Sequence, residues 1–418
     1  MGALGSAERG TCALSPIRHI PSARPIDRTR ADERPSGVWR YSSHLALVLG
    51  GGGARGAYQV GVLAGLAERL PGLAFPIISG TSVGAINAIY LAAHLGALDA
   101  NVAGLREAWA RLTSEGVYQV RLFSLISSLA RKGLKGAIGL RGGPGGVRGL
   151  ADTTPLRQFL SNSADLRGVT ANIANQRLRA VAINATSYTT GRAVSFVQAA
   201  AEIPMWERVQ RLAVRTQLTF DHVMASAALP LVFPAVRIGD EFYGDGSVRQ
   251  MAPLAPALHL GARAIFAIGL RNARTPRVVA REAEYPTAAE AVGLLFDAIF
   301  MDALEADAER LDRFNHILAA LPDGQPAPDG LRPVELLLVH PTRDLSTLAA
   351  GQTHLLPANV RRAVRAIGGH RAAAAEMLGF VLFHPAHTSL LVEAGYEDVG
   401  TQWPTIERFF EKLERGPQ

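Results

Sequence analysis

Two strand–turn–helix units packed into residues 44–84 limit what this chain can fold into. Residues 44–49 form a short apolar run, H-L-A-L-V-L, that predicts a buried strand. Four glycines follow, Gly50, Gly51, Gly52 and Gly53, then Ala54, Arg55 and Gly56. Residues 57–70 place Tyr58, Val62, Leu63, Leu66 and Leu70 at helical spacing and stop at Pro71-Gly72. Residues 76–79 predict a second strand. It runs into Gly80-Thr81-Ser82-Val83-Gly84 and a helix of small residues over 85–95.

The alternation continues. Strands are expected at 178–184, 193–197, 264–270 and 334–340, the last two fully buried. Helices are expected at 99–112, 206–218, 221–228, 253–260, 287–320, 357–380 and between 388 and 413. Strands alternating with helices predict an α/β fold, a mostly parallel central sheet flanked by helices. Such sheets bind ligands at the carboxyl ends of their strands. The turns after Gly50, after Ser79 and around Asp245 all lie just past expected strand ends.

The chain is long and apolar enough for a large core, with 418 residues, 48% of them apolar. Cys12 is the single cysteine, which excludes an intramolecular disulfide and a cysteine-based zinc site. It fits a reducing compartment. No apolar run approaches the roughly 20 residues that cross a bilayer, and the N-terminus lacks a long apolar signal core. A cytoplasmic chain with at most peripheral membrane contact is expected.

Residues 1–42, rich in Pro, Arg and Ser, read as a mobile tail. Residues 43–275 read as the main domain, and 276–418 as a mainly helical region packed on it. That region can cover the sheet, hold a second copy in a homo-oligomer or meet a membrane. Residues 116–151 carry Arg121, Arg131, Lys132, Lys135, Arg141 and Arg148 among apolar residues and contain no acid. They read either as a lid touching anionic lipid or as a basic surface insertion. The net charge of +7 fits headgroup contact or genome composition equally. Nothing points to nucleic acid.

Serine is a weak nucleophile that needs a base within reach and donors for an oxyanion. Gly80-x-Ser82-x-Gly84 supplies a tight strand-to-helix turn that exposes such a hydroxyl, although Ser82 at a helix start also suits a plain cap. Gly51, Gly52 and Gly53 can take positive φ and align N–H groups as an anion nest. Arg55 can brace that loop, contact a phosphate or simply lie on the surface. Gly51-x-Gly53-x-x-Gly56 also matches a dinucleotide loop. That loop needs an acid at the end of the second strand, and Ser79-Gly80-Thr81-Ser82 stands there instead. The histidines after Ser82, at 222, 259, 340, 384 and 387, sit in no glycine-flanked loop, and His340 at a strand end is the best placed of them. Asp245, in Gly244-Asp245-Gly246, is the better base, although Asp-Gly is also an ordinary turn pair. No convincing metal or cofactor ligand set is apparent.

The ordered set G-G-G-x-R-G at Gly51, G-x-S-x-G at Gly80, A-S-x-A-x-P-x-x-F-P at Ala225 and D-G at Asp245 resembles the patatin-like phospholipase family. The resemblance spans about residues 44–270. It implies a three-layer α/β/α fold and a lipid acyl hydrolase that needs no cofactor. It implies Ser82 as nucleophile, Asp245 as base and the amides of Gly51, Gly52 and Gly53 as oxyanion hole, supported by Arg55, Gly80, Gly84 and Gly246. A catalytically silent, lipid-binding regulatory member of the same fold is the alternative. Ser247 departs from the family's usual Gly or Ala after D-G, and Gly50 from the Asp of plant members.

Overall fold

The computed structural model describes residues 42–94, 96–120, 151–230, 232–272, 294–295, 297–322, 327–328, 331–350, 352–356 and 379–415. The expected tail at 1–42, except Ser42, and the basic segment's 121–150 lie outside these residues, as do 287–293 and 357–378 of two expected helices.

The chain begins with β1 (Leu45–Leu49), a 3-10 turn (Gly53–Arg55), α1 (Gly56–Arg69), β2 (Ile77–Thr81), α2 (Val83–Ala93), α3 (Leu98–Arg111) and α4 (Ser114–Val117). A two-residue ribbon joins β3 (Gln119–Val120) to β4 (Ala151–Asp152). Then come α5 (Thr154–Ser163), α6 (Arg167–Ala174), β5 (Ala180–Ser187), β6 (Ala193–Ala199), β7 (Arg211–Arg215), α7 (Phe220–Ser226), β8 (Val236–Ile238) and β9 (Glu241–Asp245). The chain ends with α8 (Ala255–His259), β10 (Ala264–Ile268), α9 (Asp302–Ala319), β11 (Glu335–Val339), α10 (Leu345–Ala350), α11 (Pro385–Thr401) and α12 (Trp403–Arg415).

The central sheet has the order β11-β10-β1-β2-β5-β6-β7. The first five strands in that order pair in parallel, β6 turns back against β5, and β7 runs parallel to β6. β1 shows why both faces are covered. Leu45, Leu47 and Leu49 join the core beneath α1, α2 and α11, while Ala46 and Val48 join the core beneath α8 and α9. Apolar residues at consecutive positions of a period-two element require helices on both sides.

Residues 206–218 are a correction. They carry strand β7, not a helix. In R-L-A-V-R, Leu212 and Val214 pack on one core and Ala213 on the other. That alternation is the period of a strand, and the apolar count alone hid it. The strand at 334–340 is a second correction. β11 forms the edge of the sheet, and of its residues only Val339 is buried.

α1 and α11 approach through glycines. A Cβ on Gly61 would fall 1.9 Å from the Val392 carbonyl oxygen, and one on Gly395 would fall 2.2 Å from that of Tyr58. At their far end Tyr58 donates to Asp398 Oδ2 at 2.9 Å, and the Thr342 N–H donates to the same oxygen. Neither backbone can yield without separating the helices. Gly61→Ala is expected to destabilise the protein by about 1–3 kcal/mol, read as a lowered urea midpoint. An exposed control such as Gly72→Asn is expected to leave that midpoint nearly in place.

Candidate active site

Strand β5 is the ruler that sets the site. Its first residues pair with β2, ending at Thr81 opposite Asn184. Its last residues pair with β9, which arrives from the opposite direction and places Asp245 opposite Ala185. The other edge of β5 is filled by β6. β2 and β9 therefore end facing one another in a single ladder slot, and Ser82 and Asp245 meet there.

Ser82 has φ 55° and ψ −125°, one of two positive-φ residues other than glycine among those described. Its side chain makes no capping bond, so the plain-cap reading fails. Such backbone is costly and persists where neighbours impose it. The Ser82 N–H donates to Ser226 Oγ at 2.9 Å, and Ser226 in turn donates to the Asn184 carbonyl. The Asn184 amide lies 3.1 Å from Ser79 Oγ, the Gly80 carbonyl and Thr81 Oγ1. The flanking glycines permit the turn. A Cβ on Gly80 would strike the Gly84 carbonyl oxygen at 2.4 Å, and one on Gly84 would strike that of Leu49 at 2.2 Å.

Asp245 is fully buried. Its Oδ1 accepts the Ser247 N–H at 2.9 Å, and its Oδ2 has no hydrogen-bond partner. Its backbone carbonyl accepts from Thr186 Oγ1 at 2.8 Å, and its N–H donates to the Ala228 carbonyl. Burial pushes its carboxyl up to about 6. The Ser82 hydroxyl opposes that rise, followed by the Ser247 amide and hydroxyl. The Ser82 hydroxyl is therefore near the carboxylate, at a looser distance than a formed hydrogen bond, as unliganded sites often are. Gly246 is required because a Cβ there would fall 2.2 Å from the Asn184 carbonyl oxygen.

The glycine loop closes the site. A Cβ on Gly51 would lie 3.0 Å from Ser82 Cβ, so the two residues are in contact. Of the freedom the three glycines offer, the loop uses the left-handed region only at Gly53, at φ 59°. A buried polar relay fixes the loop: Trp109 Nε1 donates to Asn87 Oδ1, Asn87 Nδ2 to Gln59 Oε1 and Gln59 Nε2 to the Gly50 carbonyl, each within 2.9 Å. Arg55 is buried, not on the surface, with its guanidinium 4.7 Å from the centre of the Phe380 ring. Phe380 also abuts Gly53 through its own carbonyl.

Ser82 and Gly53 line an apolar cavity that opens to solvent. Ile86, Ile89, Leu105, Leu160 and Phe380 are among the side chains that line it. No described histidine lines it. His222 joins the cap of α7, His384 caps α11, His259 stacks on Trp206, His340 lies 3.7 Å from Glu305 Oε1, and His387 is buried in α11. Among the described residues no group of three or more His, Cys, Asp or Glu is arranged to hold a metal ion. Among them, too, no helix is long and apolar enough to cross a membrane.

The family model for patatin-like phospholipase matches residues 47–258, half of the chain. The chain belongs to the patatin-like phospholipase family. Within that family, patatin-like phospholipase domain-containing protein 7 of Rattus norvegicus is 63% identical over 62 residues. That match spans 15% of this chain and only 4% of the rat protein. Among solved structures, human GIVD cytosolic phospholipase A2 aligns over 89% of this chain and 60% of its own, at 12% identity and a TM-score of 0.42. VipD from Legionella pneumophila aligns over 84% of this chain and 67% of its own, at 15% identity and a TM-score of 0.29.

Residue-by-residue reading of the patatin-like sequence missed Ser226 and Asn184, which hold the Ser82 turn from behind. The A-S-A-A-L-P stretch was visible, but nothing in it says that its serine reaches across to another strand. The relay Gln59, Asn87 and Trp109 gave no signal either, because Gln59 and Asn87 each sit alone in an apolar helix and Trp109 reads as packing in a charged one.

A raised carboxyl has a sign. Its folded value of about 6 exceeds the ordinary 3.8, so the folded state favours the protonated form. That contribution is full below about pH 4 and lost as pH rises through 6. Asp245→Asn is therefore expected to be more stable than the parent chain at pH 8, by up to about 3 kcal/mol. The advantage should vanish near pH 4, in urea unfolding measured at both values.

Proposed function

We propose that this protein is a serine esterase that hydrolyses fatty-acyl esters of lipids, phospholipids among them, through a Ser82–Asp245 dyad. The observation that carries the reading is the convergence of β2 and β9 on one edge of β5. It sets a strained serine beside a buried carboxylate at the mouth of an apolar cavity.

Asp245 Oδ2 accepts the Ser82 proton as Ser82 Oγ attacks the ester carbonyl carbon. Backbone N–H groups of Gly51, Gly52 and Gly53 hold the oxyanion. Collapse breaks the bond to the leaving oxygen, which takes the proton from Asp245. Water then attacks the acyl-enzyme, giving its proton to Asp245, and the fatty acid leaves as that proton returns to Ser82. The positive end of α2 points at the same place. Arg55, Gly80, Gly84 and Gly246 support the geometry, and no metal or cofactor enters any step. The acyl chain occupies the cavity, which runs along α2 past Ile86 to Ile89, about 10 Å from Ser82 at helical rise. Residues 276–418 are part of this proposal, because Phe380 from that region helps wall the cavity.

Ser82→Ala and Asp245→Asn are each expected to lower p-nitrophenyl ester turnover by roughly 10³-fold or more. Ser82→Ala should also abolish labelling by a fluorophosphonate. In the parent chain kcat/KM should fall as pH drops through about 6. Labelling that survives Ser82→Ala would remove the dyad, whereas a Ser82→Ala chain that keeps its full biological effect would favour the silent lipid-binding reading.

Chain length gives a separate check. Ile86→Trp fills the cavity one turn beyond Ser82. It is expected to lower kcat/KM for a p-nitrophenyl palmitate relative to the butyrate by about tenfold. Equal loss on both esters would place the acyl chain elsewhere.

A further inference from the structure

Ser247 stands where three parts of the site meet. Its N–H donates to Asp245 Oδ1 at 2.9 Å. Its hydroxyl oxygen lies 2.6 Å from the point where a Cβ on Gly51 would be, and Ser82 Cβ lies 3.0 Å from that same point. The hydroxyl is buried and has no hydrogen-bond partner. Next to it, Asp245 Oδ2 is buried and also has none. A donor and an acceptor left unpaired side by side are each costly alone. A turn of the serine side chain toward the carboxylate would pair the two. Glycine or alanine, usual after D-G in this family, has no such donor.

We propose that Ser247 is a positioning residue whose hydroxyl is a second donor to the Asp245 carboxylate, holding it fixed and charged for proton transfer with Ser82. The proposal rests on the dyad reading above. The hydroxyl is also among the groups that oppose the rise of the Asp245 carboxyl caused by burial. Charged and titratable groups on the surrounding elements do not compete for this role. Tyr188, beyond the end of β5, feels the Asp245 charge. Glu241 and Tyr243 lie on β9, Asp221 and His222 on α7, Arg249 past the turn and Arg55 beneath the glycine loop, and none of them is among the groups that shift Asp245. Donors alone hold this carboxylate in its charged form, so removing one moves it further up.

The test follows the acid limb of two reactions in the full chain: p-nitrophenyl butyrate kcat/KM and the rate of fluorophosphonate labelling. In Ser247→Ala both limbs are expected to move up by about one pH unit. That is a loss of about tenfold just below the parent limb, recovered progressively as pH rises. Ser247→Thr, which keeps a hydroxyl, is expected to restore the parent limb. A loss equal at every pH would overturn the proposal, since it would put the hydroxyl on the oxyanion or in packing alone. An unmoved limb would overturn it too. Ser247→Gly removes the same donor and carries the test if Ser247→Ala does not fold. Labelling that survives Ser82→Ala defeats the dyad itself. Ser82-dependent labelling with an unmoved limb defeats only the role given to Ser247.

Discussion

The edge of β5 is the constraint on which the site depends. A strand edge offers one row of backbone groups, and two strands can share it only by stopping short of each other. β2 stops at Thr81 and β9 at Asp245, at adjacent rungs. Each stop leads into a turn, since neither strand can continue. The turn after β2 is forced into positive φ at Ser82, and the turn after β9 bends at Gly246 under the Asn184 carbonyl. The Ser226 and Asn184 hydrogen bonds then make that arrangement rigid.

Burial does the electrostatic work. Asp245 has no charged partner among the described residues, and desolvation alone lifts its carboxyl toward neutrality. In the proposed dyad a carboxyl raised toward neutrality suits proton transfer. The same dryness continues into the cavity, whose walls come from α2, α3 and α5 and from residues 380–383 just ahead of α11. α11 is tied to α1 through glycine contacts so close that a single added methyl group would have to displace backbone. The glycine loop is therefore held between a polar relay on one side and Phe380 on the other.

The parallel sheet was legible, because consecutive apolar residues in short runs admit few alternatives to a doubly covered strand. The two glycine turns were legible as runs of glycine between strand and helix, and no bulkier residue fits at Gly80 and Gly84 of the second or at Gly53 of the first. β7 was not legible, since R-L-A-V-R within a stretch of mixed charged and apolar residues fits both periods until the two cores that Leu212 and Ala213 join are known. Nor was the edge position of β11 legible, because a run such as E-L-L-L-V reads alike at the centre and at the rim of a sheet. Arg55 could brace the loop or meet a phosphate, with a surface position as the plainer alternative, and the residues that bury it, Phe380 among them, lie far along the chain.

The sequence by itself determined the fold class, the two glycine turns and the identity of Ser82 and Asp245 as the residues to watch. Local sterics fix these, and local sterics are written in neighbouring residues. Tertiary structure decided that the two residues meet, that the carboxylate is dry and that the Ser247 N–H binds it. Those outcomes depend on which strand lies beside β5 and how far it runs. Hydrogen-bond pairing between segments distant in sequence sets that register, and no short stretch of the chain encodes it.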